Sequence, residues 1–168
     1  MGLLVPDYIF KNVAHITTEF LAERGIRALL LDVDNTLTSH GSQELSSEVA
    51  AWLQTMQKAG IRLAIVSNNT EKRVAPFAKK IGLNHKSFCC KPMPFGLAAL
   101  RRSWGLPKRQ VALVGDQIFT DALGASLYGV CMLLVQPLSE DTVATVRFKR
   151  KLEEPVLRRY YKKGGRLL

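Results

Sequence analysis

Acidic residues are scarce in this chain: 14 Asp and Glu stand against 24 Lys and Arg, a net charge of +10. Such a basic excess favours acidic partners, whether nucleic acid, an anionic membrane face or phosphorylated substrates, without choosing among them. Cysteine is also sparse. Cys89, Cys90 and Cys131 are too few and too closely placed for a disulfide framework, and no second Cys/His cluster offers zinc spacing. Reduced thiols in a cytoplasmic protein are expected. His15, His40 and His85 are scattered and read as structural or solvated rather than catalytic. No apolar run approaches the length that crosses a membrane. Residues 1–7 lack a charged segment leading into a long apolar one, so no signal peptide is expected. Internal repeats and low-complexity tracts are absent, and no Gly-x-Gly-x-x-Gly follows the first apolar run, which excludes a dinucleotide-binding fingerprint.

What is present is organised around residues 26–37, where Ile26-Arg27-Ala28-Leu29-Leu30-Leu31 runs into Asp32-Val33-Asp34-Asn35-Thr36-Leu37. A short apolar run with polar bounds predicts a buried strand, central and parallel. Alternate residues of an extended chain share a face, so Asp32 and Asp34 can serve one site. Two carboxylates that close need a cation, a shared proton or a basic partner. Hard oxygen donors suit Mg²⁺.

At 168 residues the chain is expected to form a single domain, residues 1–168. Residues 3–24 predict a segment packed on the sheet, with a short helix capped by Thr17 or Thr18 and ending near Gly25. Contact of Tyr8-Ile9-Phe10-Lys11 with a membrane is the alternative. Ser46 or Ser47 caps a helix whose apolar stripe is Val49, Trp52, Leu53 and Met56, with Gly60 past its end. Ile61–Val66 reads as the second strand, then a helix from Asn69 or Thr70 to Gly82. A third strand is placed at Ser87–Cys90, a helix at Pro94–Trp104 and a fourth strand at Gln110–Val114. A helix over Thr120–Tyr128 and a fifth strand over Val130–Val135 follow. This alternation predicts an α/β fold, a five-stranded parallel sheet with helices on both faces. Reactive residues follow nearly every strand: Asp32 and Asp34, Ser67, Lys91, then Asp116 and Asp121. In a doubly wound sheet these ends converge on one edge.

That set can transfer a phosphoryl group. An Asp nucleophile splits hydrolysis into two steps through an aspartyl-phosphate, and a second carboxylate moves the protons. A hydroxyl, backbone N–H groups and a Lys hold the phosphoryl oxygens, and carboxylate-bound Mg²⁺ neutralises developing charge. The segments Asp32–Leu37, Ile65-Val66-Ser67-Asn68, Lys91-Pro92 and Gly115-Asp116-Gln117-Ile118-Phe119-Thr120-Asp121 resemble, in order, the four motifs of the haloacid dehalogenase (HAD) superfamily. Pro6-Asp7-Tyr8 with Ile16-Thr17, and Val66–Val74, extend the likeness to the YqeG-type branch of the HAD-IIIA phosphatases. That branch is similar to the phosphatidylglycerophosphate phosphatases of mitochondria and plastids. Val33 stands where the branch usually carries Leu, a mild departure. The resemblance implies Asp32 as nucleophile, Asp34 as general acid/base, and Ser67 and Lys91 as further catalytic residues. It implies Thr36, Ser67, Asn68 and Lys91 against the substrate, and a Rossmann-like HAD core. It also implies Mg²⁺ held by Asp32, the backbone carbonyl of Asp34, and Asp116, with Asp121 in support. The gaps between motifs leave no room for a cap domain, which by family analogy favours a bulky or surface-presented substrate.

Residues 139–168 read as a basic extension, helical or partly disordered. Val143, Val146, Phe148, Leu152, Val156, Leu157 and Tyr160 give a rough amphipathic pattern, with Pro155 opening a new turn. A helix packed on the domain is the plainest reading; docking on anionic lipid is the functional one, at about 1 kcal/mol per Lys or Arg near the surface. The expected function is hydrolysis of a phosphate monoester, with a phospholipid, phosphatidylglycerophosphate, as first candidate substrate. The expected location is cytoplasmic, peripheral at the inner membrane face. The competing function is a basic adaptor on a HAD scaffold that binds RNA or ribosomal particles, with strongly salt-dependent binding and no turnover. A receiver domain is set aside, because its phosphoacceptor follows the third strand, where this chain has Cys90-Lys91 and no Asp.

Overall fold

The computed structural model describes residues 2–139 and 144–168. Its elements in order are β1 (Tyr8–Phe10), α1 (Thr18–Glu23), β2 (Ala28–Leu31), α2 (Ser47–Lys58), β3 (Arg62–Val66), α3 (Glu71–Ile81), β4 (Asn84–Lys86), α4 (Phe95–Trp104), β5 (Val111–Gly115), α5 (Leu123–Tyr128), β6 (Cys131–Val135) and α6 (Ala144–Lys162). One six-stranded sheet, all parallel, has the order β1-β6-β5-β2-β3-β4.

β2 is buried along its whole length because both faces are covered. Leu29 and Leu31 pack with Val49, Trp52 and Met56 of α2 and with Val74 and Phe77 of α3. Ala28 and Leu30 face the other way, into Leu97 and Ala98 of α4, Ala125 of α5 and Tyr160 of α6. The period-two alternation of a strand therefore feeds two cores, which is why the strand reads as a continuous apolar run. Trp52 meets its polar need by donating Nε1–H to the Ile16 carbonyl at 2.8 Å. Thr17 and Ser46 cap α1 and α2 by accepting from Phe20 N and Val49 N.

From β2 the chain winds outward through β3 to β4, then returns to β5 and β6 on the opposite side. The loops leaving β2 and β5 thus diverge, and a crevice opens at the C-terminal ends of these strands. The β2–α2 connection is a loop and the β3–β4 connection holds α3 alone, so neither place carries an inserted domain.

Four sequence expectations are corrected. The sheet has six strands, because Tyr8–Phe10 adds an edge strand beside β6. Its Ile9 and Phe10 are buried, so that segment belongs to the core and not to a membrane contact. The strand expected at Ser87–Cys90 lies instead at Asn84–Lys86. Phe88 and Cys90 take φ of 48° and 53°, left-handed values incompatible with an extended ladder. Pro155 sits inside α6 rather than opening a new turn. Val143 and the side chain of Val146 lie outside the described residues. Among the described residues, no helix is long and apolar enough to cross a membrane.

Candidate active site

Asp32 continues β2 by one residue, its N–H donating to the Val114 carbonyl at 2.9 Å. The chain then turns tightly: N–H groups of Thr36 and Leu37 return to the Val33 carbonyl, and Asn35 takes a left-handed φ of 58°. Asn tolerates that conformation better than most residues. The turn leaves the Asp32 and Asp34 side chains at one cavity of about 280 Å³, shared with Ser67, Asn68 and Lys91. His40, Thr120 and Lys149 also line it.

Lys91 is the hub. Its buried Nζ lies 2.8 Å from Asp32 Oδ1 and 2.7 Å from Asp121 Oδ1. Burial alone would push this ammonium down, but the carboxylates of Asp121 and Asp32 outweigh it and hold the pKa above the usual lysine value. Asn68 brackets the same residue: its Oδ1 accepts from Lys91 N at 2.6 Å and its amide donates to the Lys91 carbonyl at 2.9 Å. Burial pushes the Asp32 carboxyl upward, against the pull of Lys91 and with help from the charge on Asp121. Ser67 is buried, its Oγ accepting from Asn69 N at 3.1 Å.

Asp116 directly follows β5, with its carboxylate buried against the Arg150 guanidinium of α6. Burial lifts its pKa to about 8, although Arg150 draws it down. Thr36 Oγ1 donates to Asp116 Oδ1 at 3.5 Å. Asp121, on a π-helical turn over Ile118–Ala122, accepts from Gln117 N at 3.1 Å. Oxygens of Asp32, Asp116 and Asp121 lie within 4.8 Å of one another. All-carboxylate oxygen donors at that spacing fit a hard divalent cation.

The structure therefore brings Asp32, Ser67, Asn68, Lys91, Asp116 and Asp121 together as the sequence anticipates. Thr36 stands apart: it is fully buried and turned toward Asp116, away from the cavity wall. The Asp34 carboxylate lines the same cavity but lies outside the Asp32–Asp116–Asp121 group. It pairs with Arg73 at 2.8 Å, accepts from Gly41 N at 2.9 Å and from the Asn69 amide at 3.2 Å. Burial would raise its pKa, yet the Gly41 N–H and the Arg73 guanidinium outweigh that and hold it below the usual carboxylate value.

Sequence reasoning assigned no catalytic, substrate or metal role to Arg73, Asn69, Arg150 or Glu153. Arg73 and Asn69 carry a weak signal, since both follow the Ser67 segment closely. Arg150 and Glu153 carry none. Glu153 is buried, accepts from Ile118 N at 2.7 Å and pairs with Arg150 at 3.1 Å, tying α6 to the π-helical turn.

The family model for haloacid dehalogenase-like hydrolases matches residues 40–129. Over 160 residues the chain is 34% identical to the Bacillus subtilis protein named "Probable phosphatase YqeG", covering 95% of this chain and 93% of that one. The chain belongs to the haloacid dehalogenase-like hydrolases. This HAD protein is an enzyme, a phosphatase of the phosphoric monoester class. It is also 26% identical to the Arabidopsis thaliana phosphatidylglycerophosphate phosphatase 1, over 96% of this chain and 49% of that relative. The HAD chain thus spans about half the length of that plant protein. Among solved structures, the cobalt-bound deoxy-D-mannose-octulosonate 8-phosphate phosphatase of Haemophilus influenzae superposes with a TM-score of 0.52. That match covers 80% of this chain and 89% of the other, at 15% identity. An uncharacterized Listeria monocytogenes protein gives a TM-score of 0.56 at 16% identity, covering 70% and 85%. Both likenesses concern the fold alone. Phosphatase-named relatives along the whole chain do not favour the adaptor reading.

Proposed function

We propose that this enzyme hydrolyses a phosphate monoester through an aspartyl-phosphate on Asp32 with Mg²⁺ as cofactor, and that phosphatidylglycerophosphate is the substrate to test first. The observation that carries the chemistry is the Asp32 carboxylate at the cavity wall, oriented at 2.8 Å by a buried Lys91. In the first step an Asp32 oxygen bonds to phosphorus and the ester P–O bond breaks. Asp34 gives the leaving oxygen its proton. In the second step Asp34 takes a proton from water, whose oxygen attacks phosphorus and releases Asp32 and inorganic phosphate. The ion pair with Arg73 favours the ionised Asp34 needed as base in that second step. The acid role requires the carboxylate to leave Arg73 when substrate enters.

Ser67, Lys91 and the Asn68 backbone N–H hold phosphoryl oxygens. Asp32, Asp116 and Asp121 would hold Mg²⁺, with the Asp34 carbonyl as a further ligand. The cation supplies charge neutralisation at the phosphoryl oxygens. Thr36 acts on Asp116 rather than on substrate.

The lipid substrate rests on the named plant relative, the open site without a cap and the basic excess. A cytoplasmic, peripheral position on the inner membrane face fits the same reading. The test is phosphate release from phosphatidylglycerophosphate in mixed micelles with Mg²⁺, beside p-nitrophenyl phosphate and the Asp32→Asn variant. Turnover of the lipid that Asp32→Asn abolishes supports the whole reading. Turnover of the generic ester alone keeps the phosphatase and removes the lipid. Turnover that survives Asp32→Asn overturns the nucleophile assignment.

A further inference from the structure

The loop that carries Lys91 into the cavity turns three large apolar side chains outward. Phe88 is 61% exposed, Met93 52% and Phe95 74%. The three lie within eight positions of one another, and exposed apolar side chains gathered in one patch mark a contact surface.

The loop is built to hold them there. Phe88 N donates to the Asn69 carbonyl and Cys89 N to the Ser67 carbonyl, both at 3.0 Å, which fastens the loop to the Ser67 segment. Cys89 is buried with its side chain where a Cβ on Gly96 would have to sit, 2.9 Å from the Cys89 Cβ. Pro92 packs on Gly124, where an added Cβ would meet the Pro92 Cα at 3.4 Å. Cys89 and Lys91 are buried, while Phe88 and Cys90, both with left-handed backbone, are exposed. The apolar lip is therefore a fixed neighbour of the catalytic lysine.

The same sheet edge carries exposed cations. Lys86 ends β4 and Lys72 lies in the first turn of α3, both exposed, while Lys149 lines the cavity itself. Exposed Glu71 is partnered by His85 at 2.8 Å and by the Ser87 hydroxyl. Apolar side chains beside cations match a surface that is apolar below and anionic above.

We infer that the loop 87–95 is a membrane-docking lip: Phe88, Met93 and Phe95 enter an anionic bilayer, Lys72, Lys86 and Lys149 meet its head groups, and the cavity opens onto the lipid surface. This deepens the proposed function and rests on its lipid substrate for its purpose, but lip binding is measured without that substrate.

The experiment is co-sedimentation of the full chain with phosphatidylcholine vesicles, with and without phosphatidylglycerol. Phe88→Asn, Met93→Gln and Phe95→Gln are combined, and Phe95→Gln alone serves as the mildest variant. Asn is chosen at 88 because it accepts the left-handed backbone. The parent is expected to bind the phosphatidylglycerol vesicles. The triple variant should partition at least about tenfold more weakly, and Phe95→Gln should fall between. Turnover of p-nitrophenyl phosphate should stay within about twofold of the parent, since no lip side chain is assigned to the reaction. Equal vesicle binding by parent and triple variant overturns the lip. So does a parent that ignores phosphatidylglycerol, or a parent dimer that the triple variant dissociates, which would make a second copy the occupant. Lip-dependent binding without phosphatidylglycerophosphate turnover leaves the lip standing and removes the substrate; turnover indifferent to the lip does the reverse.

Discussion

The Arg150 guanidinium of α6 lies directly against the Asp116 carboxylate, the group expected to ligate the metal. The two are 34 residues apart, and Arg150 lies outside all four motifs. A positive side chain at that carboxylate lowers its attraction for a divalent ion by simple Coulomb repulsion.

Arg150→Ala should therefore tighten Mg²⁺ binding several-fold, read by titration calorimetry. Above about pH 8, where Asp116 is ionised, the same change should lower the stability of the metal-free protein by about 2 kcal/mol, since it removes a charged partner from a buried carboxylate. Thermal melts with and without Mg²⁺ separate the two effects. Unchanged Mg²⁺ affinity would show that Arg150 does not oppose the ion.

Asp32→Asn should reduce turnover of any phosphate ester by at least about 10³-fold, as expected when a nucleophile is lost. The fold should survive, because Lys91 keeps Asp121 at 2.7 Å. A circular-dichroism melt beside the kinetics checks both halves.

The pH dependence follows from Asp116, raised by burial to about 8 from an ordinary 3.8. Between these values the metal-free folded state holds a proton that the unfolded chain has released. Its stability therefore falls as pH rises from about 4 to about 8 and levels off above. Binding of a divalent cation needs the ionised form, so apparent Mg²⁺ affinity should climb over the upper part of that range. Melts in EDTA and in excess Mg²⁺ should diverge steadily toward pH 8. Parallel curves would contradict the assignment.

Gly115→Ala is expected to damage the site through packing alone. A Cβ there would run into the Asp121 carboxylate, and nothing flexible stands between them. Overpacking of this kind costs about 1–3 kcal/mol. Displaced Asp121 would loosen Lys91 as well, so turnover and Mg²⁺ affinity should fall together, more than stability alone explains. Preserved Mg²⁺ affinity in a folded Gly115→Ala variant would count against Asp121 as a metal neighbour.

Much of the fold is legible locally. The run Ala28–Leu31 reads as a strand because both its faces are buried, and Thr17 and Ser46 read as caps because their hydroxyls can reach a backbone N–H three residues on. Tyr8–Phe10 is harder: three residues are too short for a periodic signal, and only the edge of β6 makes them a strand. The Ser87–Cys90 misplacement has another cause. Its residue types suit a strand, but the buried Cys89 and inward Lys91 impose turns at Phe88 and Cys90 that propensity does not register.

The inventory of the candidate site, and its order along the chain, was determined by sequence alone: carboxylates after β2 and β5, a hydroxyl after β3, a lysine after β4. Strand ends are set by local burial, and parallel winding carries them to one edge. Which groups hold one another was decided only in three dimensions. The Lys91 contacts to Asp32 and Asp121, the Arg73 clamp on Asp34, the reach of Arg150 to Asp116 and the outward lip at Phe88, Met93 and Phe95 all depend on how distant segments meet. An ion pair across tens of residues leaves no period or cap in the chain, because its energy exists only once the sheet has brought the partners within a few ångströms.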